Sequence, residues 1–151
     1  MRNTTLIYIK KDGRYLMLHR VKKQNDVNRD KWIGIGGGMM AGESPHDCAK
    51  REAFEETGLI LEKPRYRGIV TFVQGDWTEY MHLFTCDTFS GTLRCDCDEG
   101  NLEWVDIDRI YELPIWEGDK VFLKLIENDN TPFFSLKLVY ENDRLKESIL
   151  Y

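Results

Sequence analysis

The chain has 151 residues, of which 42% are hydrophobic and 12% aromatic, so it can build one domain with a real core but not two comfortable ones. Its formal net charge of −5 argues against a binder of nucleic-acid polymers or anionic membranes, because such proteins need a basic surface. Charged residues interrupt the first apolar stretch, so we predict no signal peptide or membrane span there. We expect a single domain over 1–151, a small-molecule ligand and a cytoplasmic location, with the oligomeric state left open.

The first part of the chain predicts a hairpin followed by a well-capped helix. Apolar runs at 4–9 and 14–18 flank Asp12-Gly13, a dipeptide typical of a hairpin turn. Ser44 suits the N-cap and Pro45 the first helical position, and Gly58 follows the last turn. These signals predict a helix over 45–57.

The second part predicts hairpins and one more helix. The runs 66–74 and 79–87 flank a turn at Gly75-Asp76, and Ser90-Gly91 predicts another turn before a short strand at 101–107. A helical turn is expected at 108–113, and apolar residues at helical spacing predict a helix within 117–127. The last strands are expected at 133–140 and 145–151. Hairpins combined with two helices favour a mixed sheet with helices on both faces.

The cysteines give no metal-binding spacing. Cys48, Cys86, Cys95 and Cys97 form no CxxC pair and have no flanking histidines at zinc spacing. We expect reduced thiols. The alternative for Cys95-Asp96-Cys97 is a metal or redox pair.

Three glutamates of the first predicted helix are candidate metal ligands. Glu52, Glu55 and Glu56 stand at i, i+3 and i+4, so their carboxylates share one stripe and repel each other. A divalent cation would compensate this repulsion, and carboxylate oxygens favour Mg²⁺ or Mn²⁺ over zinc. Ahead of the helix, a loop rich in glycine over 34–38 can bring its backbone close to an anionic ligand. The alternative is a solvated acidic face, which requires no fixed spacing to an upstream glycine.

The stretch from 37 to 59 resembles the signature of the Nudix hydrolases. That signature is Gly, five residues, Glu, seven residues, then Arg-Glu-apolar-any-Glu-Glu-any-Gly-apolar. The matching residues are Gly37, Glu43, Arg51, Glu52, Ala53, Glu55, Glu56, Gly58 and Leu59. The resemblance implies an α+β chain with the Nudix fold, a three-layer α/β/α sandwich with a mixed β-sheet.

The resemblance also assigns roles to residues of the signature. Its metal ligands would be Glu52, Glu55, Glu56 and the backbone carbonyl of Gly37, with Mg²⁺ as the cofactor and Mn²⁺ as a possible substitute. Arg51 would hold the carboxylates in place. Outside the signature, Glu99 lies in an acidic loop and is expected to supply a further ligand or a base. The alternative is an ordinary solvated loop.

Further segments resemble the MutT-type oxidised purine nucleoside triphosphatases within this family. They are 31–38, the Glu99 loop followed by Trp104, and 113–119. The resemblance implies cleavage of a purine (deoxy)nucleoside triphosphate, such as 8-oxo-dGTP, to the monophosphate and pyrophosphate. Trp116 would pack against the base and Asp119 would hydrogen-bond its edge; the alternative for Trp116 is an ordinary core residue. Lys23, in the basic cluster nearest the glycine loop, is expected to bind the phosphates; the alternative is a solvated loop.

The chain departs from these enzymes at three positions. Gly118 stands where they have a second aspartate, and Ile33 stands where they have an asparagine that reads the base. The segment Gly38-Met39-Met40 lacks the lysine that commonly follows the paired glycines. The alternatives are therefore a Nudix hydrolase of another nucleoside diphosphate derivative, such as a nucleotide sugar, or a non-catalytic binding module with the Nudix fold.

Overall fold

A computed structural model describes residues 1–94 and 97–151, so most of the Cys95-Asp96-Cys97 pattern lies outside the described residues. In chain order the elements are β1 (Arg2–Lys11), β2 (Arg14–His19), β3 (Trp32–Ile33), α1 (Pro45–Thr57), β4 (Leu59–Leu61), β5 (Arg65–Gln74), β6 (Trp77–Cys86), β7 (Phe89–Gly91), β8 (Asn101–Asp106), a 3₁₀ helix (Ile107–Glu112), α2 (Asp119–Glu127), β9 (Phe134–Glu141) and β10 (Arg144–Leu150).

The main sheet is mixed. Its strand order is β10-β9-β5-β6-β1-β2-β3, and β8 pairs with β2 as well. The β1–β6 and β5–β9 pairs are parallel, whereas the β5–β6 and β9–β10 hairpins are antiparallel. The hairpins follow local turn signals, but the parallel pairs join strands that are distant in the sequence.

The predicted β1–β2 hairpin opens a short way from its turn. The two strands pair only beside Asp12-Gly13, whereas β2 pairs with β8 along its whole length. The glycine loop takes the place of β2 beside β1. Ile7 N–H donates to Ile35 O at 2.6 Å, and Thr5 N–H donates to Gly37 O at 2.9 Å. The opening of this hairpin therefore holds the glycine loop against the middle of the sheet.

The sheet carries one helix on each face, as predicted. Ile7 packs in a core with Ala49 and Ala53 of α1. Its neighbour Tyr8 packs in a second core with Phe122 of α2. Successive strand residues point to opposite faces, so β1 separates the two cores and belongs to both.

Helix α1 begins and ends as predicted. The Ser44 hydroxyl accepts from Asp47 N–H, and the Asp47 carboxylate accepts from Ser44 N–H, each at 3.0 Å. Pro45 is the first helical residue. Gly58 adopts a left-handed conformation with φ of 80°, and its N–H donates to Phe54 O at 2.9 Å. Both ends are fixed by local hydrogen bonds, which explains why the sequence predicted them.

The turn predicted at Ser90-Gly91 is wrong. Both residues belong to β7, which pairs antiparallel with β4 immediately after α1. A Cβ on Gly91 would lie only 2.6 Å from Gly58 O. The glycine therefore serves the close approach of β7 to the end of α1 and does not reverse the chain.

The structure describes three of the four cysteines. Cys48, Cys86 and Cys97 are free and buried, in agreement with reduced thiols. No helix in the described part of the chain is long and apolar enough to cross a membrane.

Candidate active site

Arg51 holds together the carboxylates of α1. Its guanidinium donates to Glu52 Oε1 at 2.8 Å and to Glu55 Oε2 at 3.1 Å. It also donates to both carboxylate oxygens of Glu43 and to Gly38 O. One cation thus contacts three acidic side chains and the glycine loop, which is the arrangement predicted for Arg51 and extends it to Glu43.

Glu43 is a fixed anion in this network. Hydrogen bonds from Arg51, together with the Met40 N–H that donates at 2.8 Å, lower the pKa of the Glu43 carboxyl to about 2. A carboxylate that accepts several donors favours its charged form. Glu43 therefore remains ionised and ties Arg51, in the middle of α1, to Met40 ahead of the helix.

The structure brings Glu52 against the backbone of Gly37. A Cβ on Gly37 would lie 2.6 Å from the Glu52 carboxylate carbon, so a side chain at position 37 would displace the carboxylate. Gly37 O accepts from Thr5 N–H on its other side. The glycine is needed because it lets a helix carboxylate touch the loop backbone.

Glu56 lies beneath the same loop in an unfavourable environment for its charge. Gly36 N–H donates to Glu56 Oε2 at 3.1 Å. Burial raises the pKa of Glu56 to about 8, and the negative charges of Glu99 and Glu52 act in the same direction. The Gly36 hydrogen bond and the Arg20 charge oppose the shift but do not cancel it. Glu99, predicted to join the site from outside the signature, therefore lies within electrostatic reach of Glu56.

Two basic residues hold Glu99. Arg20 Nη1 donates to Glu99 Oε2 at 2.8 Å, and Lys23 Nζ lies 3.3 Å from Glu99 Oε1. Arg20 also pairs with Asp26 at 2.6 Å. Lys23, predicted to bind phosphate, thus lines the site next to Glu99. Arg20 belongs to the basic cluster seen in the sequence, but nothing in that cluster distinguished it from its neighbours.

The donor set suits a hard divalent cation. Among the residues that the structure describes, no three His, Cys, Asp or Glu side chains form a preassembled metal cluster. Glu52, Glu56 and Glu99 nevertheless provide carboxylate oxygens, the ligands that Mg²⁺ prefers. Their mutual repulsion contributes to the raised pKa of Glu56, and a bound cation would remove that cost.

A cavity of about 630 Å³ joins the glycine loop to the α2 side of the sheet. At one end it is lined by Gly36, Gly37 and Glu99, and at the other by Trp116 and Asp119. Apolar side chains complete the lining: Leu6, Ile33, Phe72 and Met81. The residues predicted for phosphate and base recognition therefore line one continuous space.

Trp116 is both a core residue and a wall of this cavity. Its side chain is only 7% exposed. Its ring meets Phe72 and Tyr140 edge to face at centroid distances of 5.9 and 5.3 Å. Trp116 Nε1–H donates to Asn28 Oδ1 at 2.7 Å, and Lys31 Nζ lies 5.3 Å from the ring centroid. Its orientation is therefore fixed before any ligand arrives.

Asp119 is buried at the start of α2 and faces the same cavity. Burial raises its pKa to about 8, and only the charge of Lys31 opposes the shift. Asp119 is therefore mainly protonated at neutral pH, where its carboxyl group can both donate and accept a hydrogen bond.

The departure at Gly118 has a structural reason. Gly118 N–H donates to the Tyr140 hydroxyl at 2.7 Å. A Cβ on Gly118 would lie 2.6 Å from both Leu138 Cδ1 and the Tyr140 hydroxyl oxygen. A second aspartate here would require the side chains of Leu138 and Tyr140 to move. Tyr140 fills the space beside Gly118 instead.

Sequence reasoning missed three residues around the cavity. Arg20 positions Glu99, Asn28 fixes Trp116, and Phe72 lines the cavity next to Trp116. Phe72 lies in the β-rich run of β5, and this run indicated a strand but not a cavity. Asn28 gave no signal, because its partner lies far away in the sequence.

Several known proteins are similar to this chain in sequence and in fold. The family described as NUDIX domain matches residues 1–126. An uncharacterised Nudix hydrolase of Bacillus subtilis (strain 168), YvcI, is 31% identical over 124 residues, covering 79% of this chain and 75% of that protein. The oxidized purine nucleoside triphosphate hydrolase of Danio rerio is 32% identical over 124 residues, covering 81% and 77%. The crystal structure of a MutT protein from Bacillus halodurans superposes with a TM-score of 0.89 at 27% identity, covering 99% of this chain and 97% of that one.

These matches confirm the Nudix fold and its α+β class. Nudix hydrolases generally use divalent metal ions. The unbroken signature places Arg51, Glu52 and Glu56 around a glycine loop at one end of a cavity. This chain belongs to the Nudix family and is a hydrolase that acts on pyrophosphate bonds.

Proposed function

We propose that the protein is a Mg²⁺-dependent pyrophosphohydrolase, with Mn²⁺ as a possible substitute. Its substrate would be a purine (deoxy)nucleoside triphosphate, with 8-oxo-dGTP as a candidate, and its products the monophosphate and pyrophosphate. The observation that carries this proposal is the continuous cavity between the Glu99 end and the Asp119 end. The similarity to the oxidized purine nucleoside triphosphate hydrolase of Danio rerio supports it.

The glycine-loop end of the cavity would hold the polyphosphate. A bound divalent ion there would neutralise phosphate charge and orient the attacking water. Glu52, Glu56 and the Gly37 carbonyl would hold the ion, with Glu55 beside them. Arg51 would keep these carboxylates in register through the contacts that it already makes to Glu52 and Glu55.

Glu99 would complete this end as a ligand or as the base that takes a proton from water. Arg20 and Lys23 fix its carboxylate from two sides, so it need not reorganise during the reaction. Lys23 is half exposed and can turn from Glu99 to a phosphate of the substrate.

The other end would hold the base. Trp116 gives a rigid aromatic wall and Phe72 an apolar one. Asp119, protonated at neutral pH, can donate to an acceptor on the purine edge and accept from a ring N–H. This pairing discriminates between bases, because a base with the wrong pattern leaves a buried carboxyl group unsatisfied.

Turnover of a nucleotide panel with Mg²⁺ tests the reaction and the substrate class. The panel contains purine and pyrimidine triphosphates, 8-oxo-dGTP, dinucleotides and nucleotide sugars such as GDP-mannose, and the products are identified. We expect pyrophosphate and a monophosphate from a purine triphosphate. Preferential cleavage of a nucleotide sugar would replace the triphosphate proposal with the alternative.

The base end is tested by Asp119→Ala. We expect kcat/KM for the preferred purine triphosphate to fall at least tenfold, which is about 1.4 kcal/mol, while a poor pyrimidine substrate changes little. Asp76→Ala, in the exposed turn between β5 and β6, is the matched control. An equal loss on both bases would show that Asp119 supports the fold or the phosphate end and not base recognition.

A further inference from the structure

Arg2 places a guanidinium group over Gly38. A Cβ on Gly38 would lie 3.3 Å from Arg2 Nη2 and 3.7 Å from Arg2 Nε. The guanidinium thus fills the space into which a side chain at position 38 would extend. Arg2 also lines the cavity next to Gly37. The guanidinium of Arg2 in β1 therefore occupies the space that a lysine at position 38 would fill.

The backbone fixes Arg2 relative to the glycine loop. Met39 N–H donates to Asn3 O at 3.0 Å, and Thr5 N–H donates to Gly37 O at 2.9 Å. These bonds join the loop to β1 immediately after Arg2. Arg2 therefore belongs to a paired strand, which fixes the position of its Cα relative to the glycine loop.

Arg2 differs from the other cations of the cavity because no carboxylate pairs with it in the described residues. Arg20 and Lys23 both pair with Glu99. Within residues 1–94 and 97–151, no carboxylate lies within 4.0 Å of the Arg2 guanidinium, as an ion pair would require. Glu79 stands opposite Arg2 on β6, but its carboxylate accepts from the Thr4 hydroxyl at 3.0 Å. Arg2 therefore retains its donors for a ligand in the cavity.

We propose that Arg2 binds a phosphate of the substrate's polyphosphate chain from the space above Gly38, in place of a lysine at position 38. A guanidinium can donate two parallel hydrogen bonds to a phosphate, which gives orientation as well as charge. The inference rests on the proposed function for the presence of a polyphosphate substrate. It adds a phosphate contact that lies outside the Nudix signature.

Inorganic tripolyphosphate tests this contact without involving the base. Its affinity is measured by titration calorimetry at fixed Mg²⁺ for the wild type, for Arg2→Ala and for the double variant Arg2→Ala/Gly38→Lys. We expect Arg2→Ala to weaken binding about tenfold to a hundredfold, the range of a charge-assisted hydrogen bond. Gly38→Lys should restore most of the loss. The side-chain atoms nearest position 38 belong to Arg2 itself, so its removal makes room for the lysine.

Lys11→Ala is the matched control, because Lys11 is exposed at the opposite end of β1 and outside the cavity. Unchanged affinity of Arg2→Ala, or failure of the wild type to bind tripolyphosphate, would overturn the inference. If Gly38→Lys does not restore the lost affinity in a double variant with the wild-type Tm, the phosphate contact does not lie above Gly38, and the inference is also overturned. If tripolyphosphate binding depends on Arg2 but no triphosphate is hydrolysed, the proposed function fails and the contact stands.

Discussion

Asp119→Asn should change how stability depends on pH. The wild-type carboxyl is buried, and burial raises its pKa from 3.8 to about 8. In the unfolded chain the same group ionises near its ordinary pKa. Between these two values the folded protein holds a proton that the unfolded chain has released. The free energy of unfolding of the wild type therefore falls as pH rises through this window.

The size of the effect follows from the shift. A difference of about four pKa units corresponds to about 5–6 kcal/mol at 1.36 kcal/mol per unit. Between pH 5 and pH 7 alone, Asp119 should lower the free energy of unfolding of the wild type by about 3 kcal/mol. An asparagine at this position does not titrate and keeps the side-chain shape. Glu56, whose pKa is also raised to about 8, is present in both proteins and cancels in their difference.

Urea unfolding of both proteins from pH 4.5 to pH 8.5 gives the difference directly. We expect the stability of Asp119→Asn relative to the wild type to increase steadily with pH and to level off above about pH 8. Asp76→Asn removes an aspartate from an exposed turn and should give a far smaller slope. Parallel profiles for the wild type and Asp119→Asn would refute the inference that the buried carboxyl holds a proton at neutral pH.

Three further outcomes are expected. Glu56→Gln keeps the shape of the side chain but cannot ionise to bind a cation, so it should lower kcat by orders of magnitude at an unchanged far-UV spectrum; near-normal turnover at saturating Mg²⁺ would place Glu56 outside the chemistry. Mg²⁺ should raise the Tm of the wild type by ligand linkage and raise that of Glu52→Gln less, whereas equal rises in a thermal scan would locate the stabilising ion elsewhere. Gly118→Asp should reduce stability by about 1–3 kcal/mol in urea unfolding, because its Cβ would crowd Leu138 and Tyr140; an unchanged midpoint would contradict the packing explanation for this glycine.

Much of the site could be predicted from the sequence because its signals are local. Ser44, Pro45 and Gly58 fixed the ends of α1, and each acts through hydrogen bonds or backbone angles within one turn. Helical geometry then placed Glu52 and Glu56 on one stripe without any tertiary information. The β5–β6 hairpin followed from its own turn. The prediction at Ser90-Gly91 failed because that glycine serves a contact with Gly58, which is remote in sequence.

The sequence alone determined the helix and the order of its carboxylates, since these depend on spacing along the chain, and its resemblance to the Nudix signature implied the reaction class. The tertiary structure decided what depends on pairing between distant segments. Opening of the β1–β2 hairpin brought the glycine loop beside β1 and carried Arg2 over Gly38. Packing of α2 against the sheet buried Asp119 and raised its pKa. A side chain's solvation and charge partners are set by the neighbours that folding supplies, so no local pattern could reveal them.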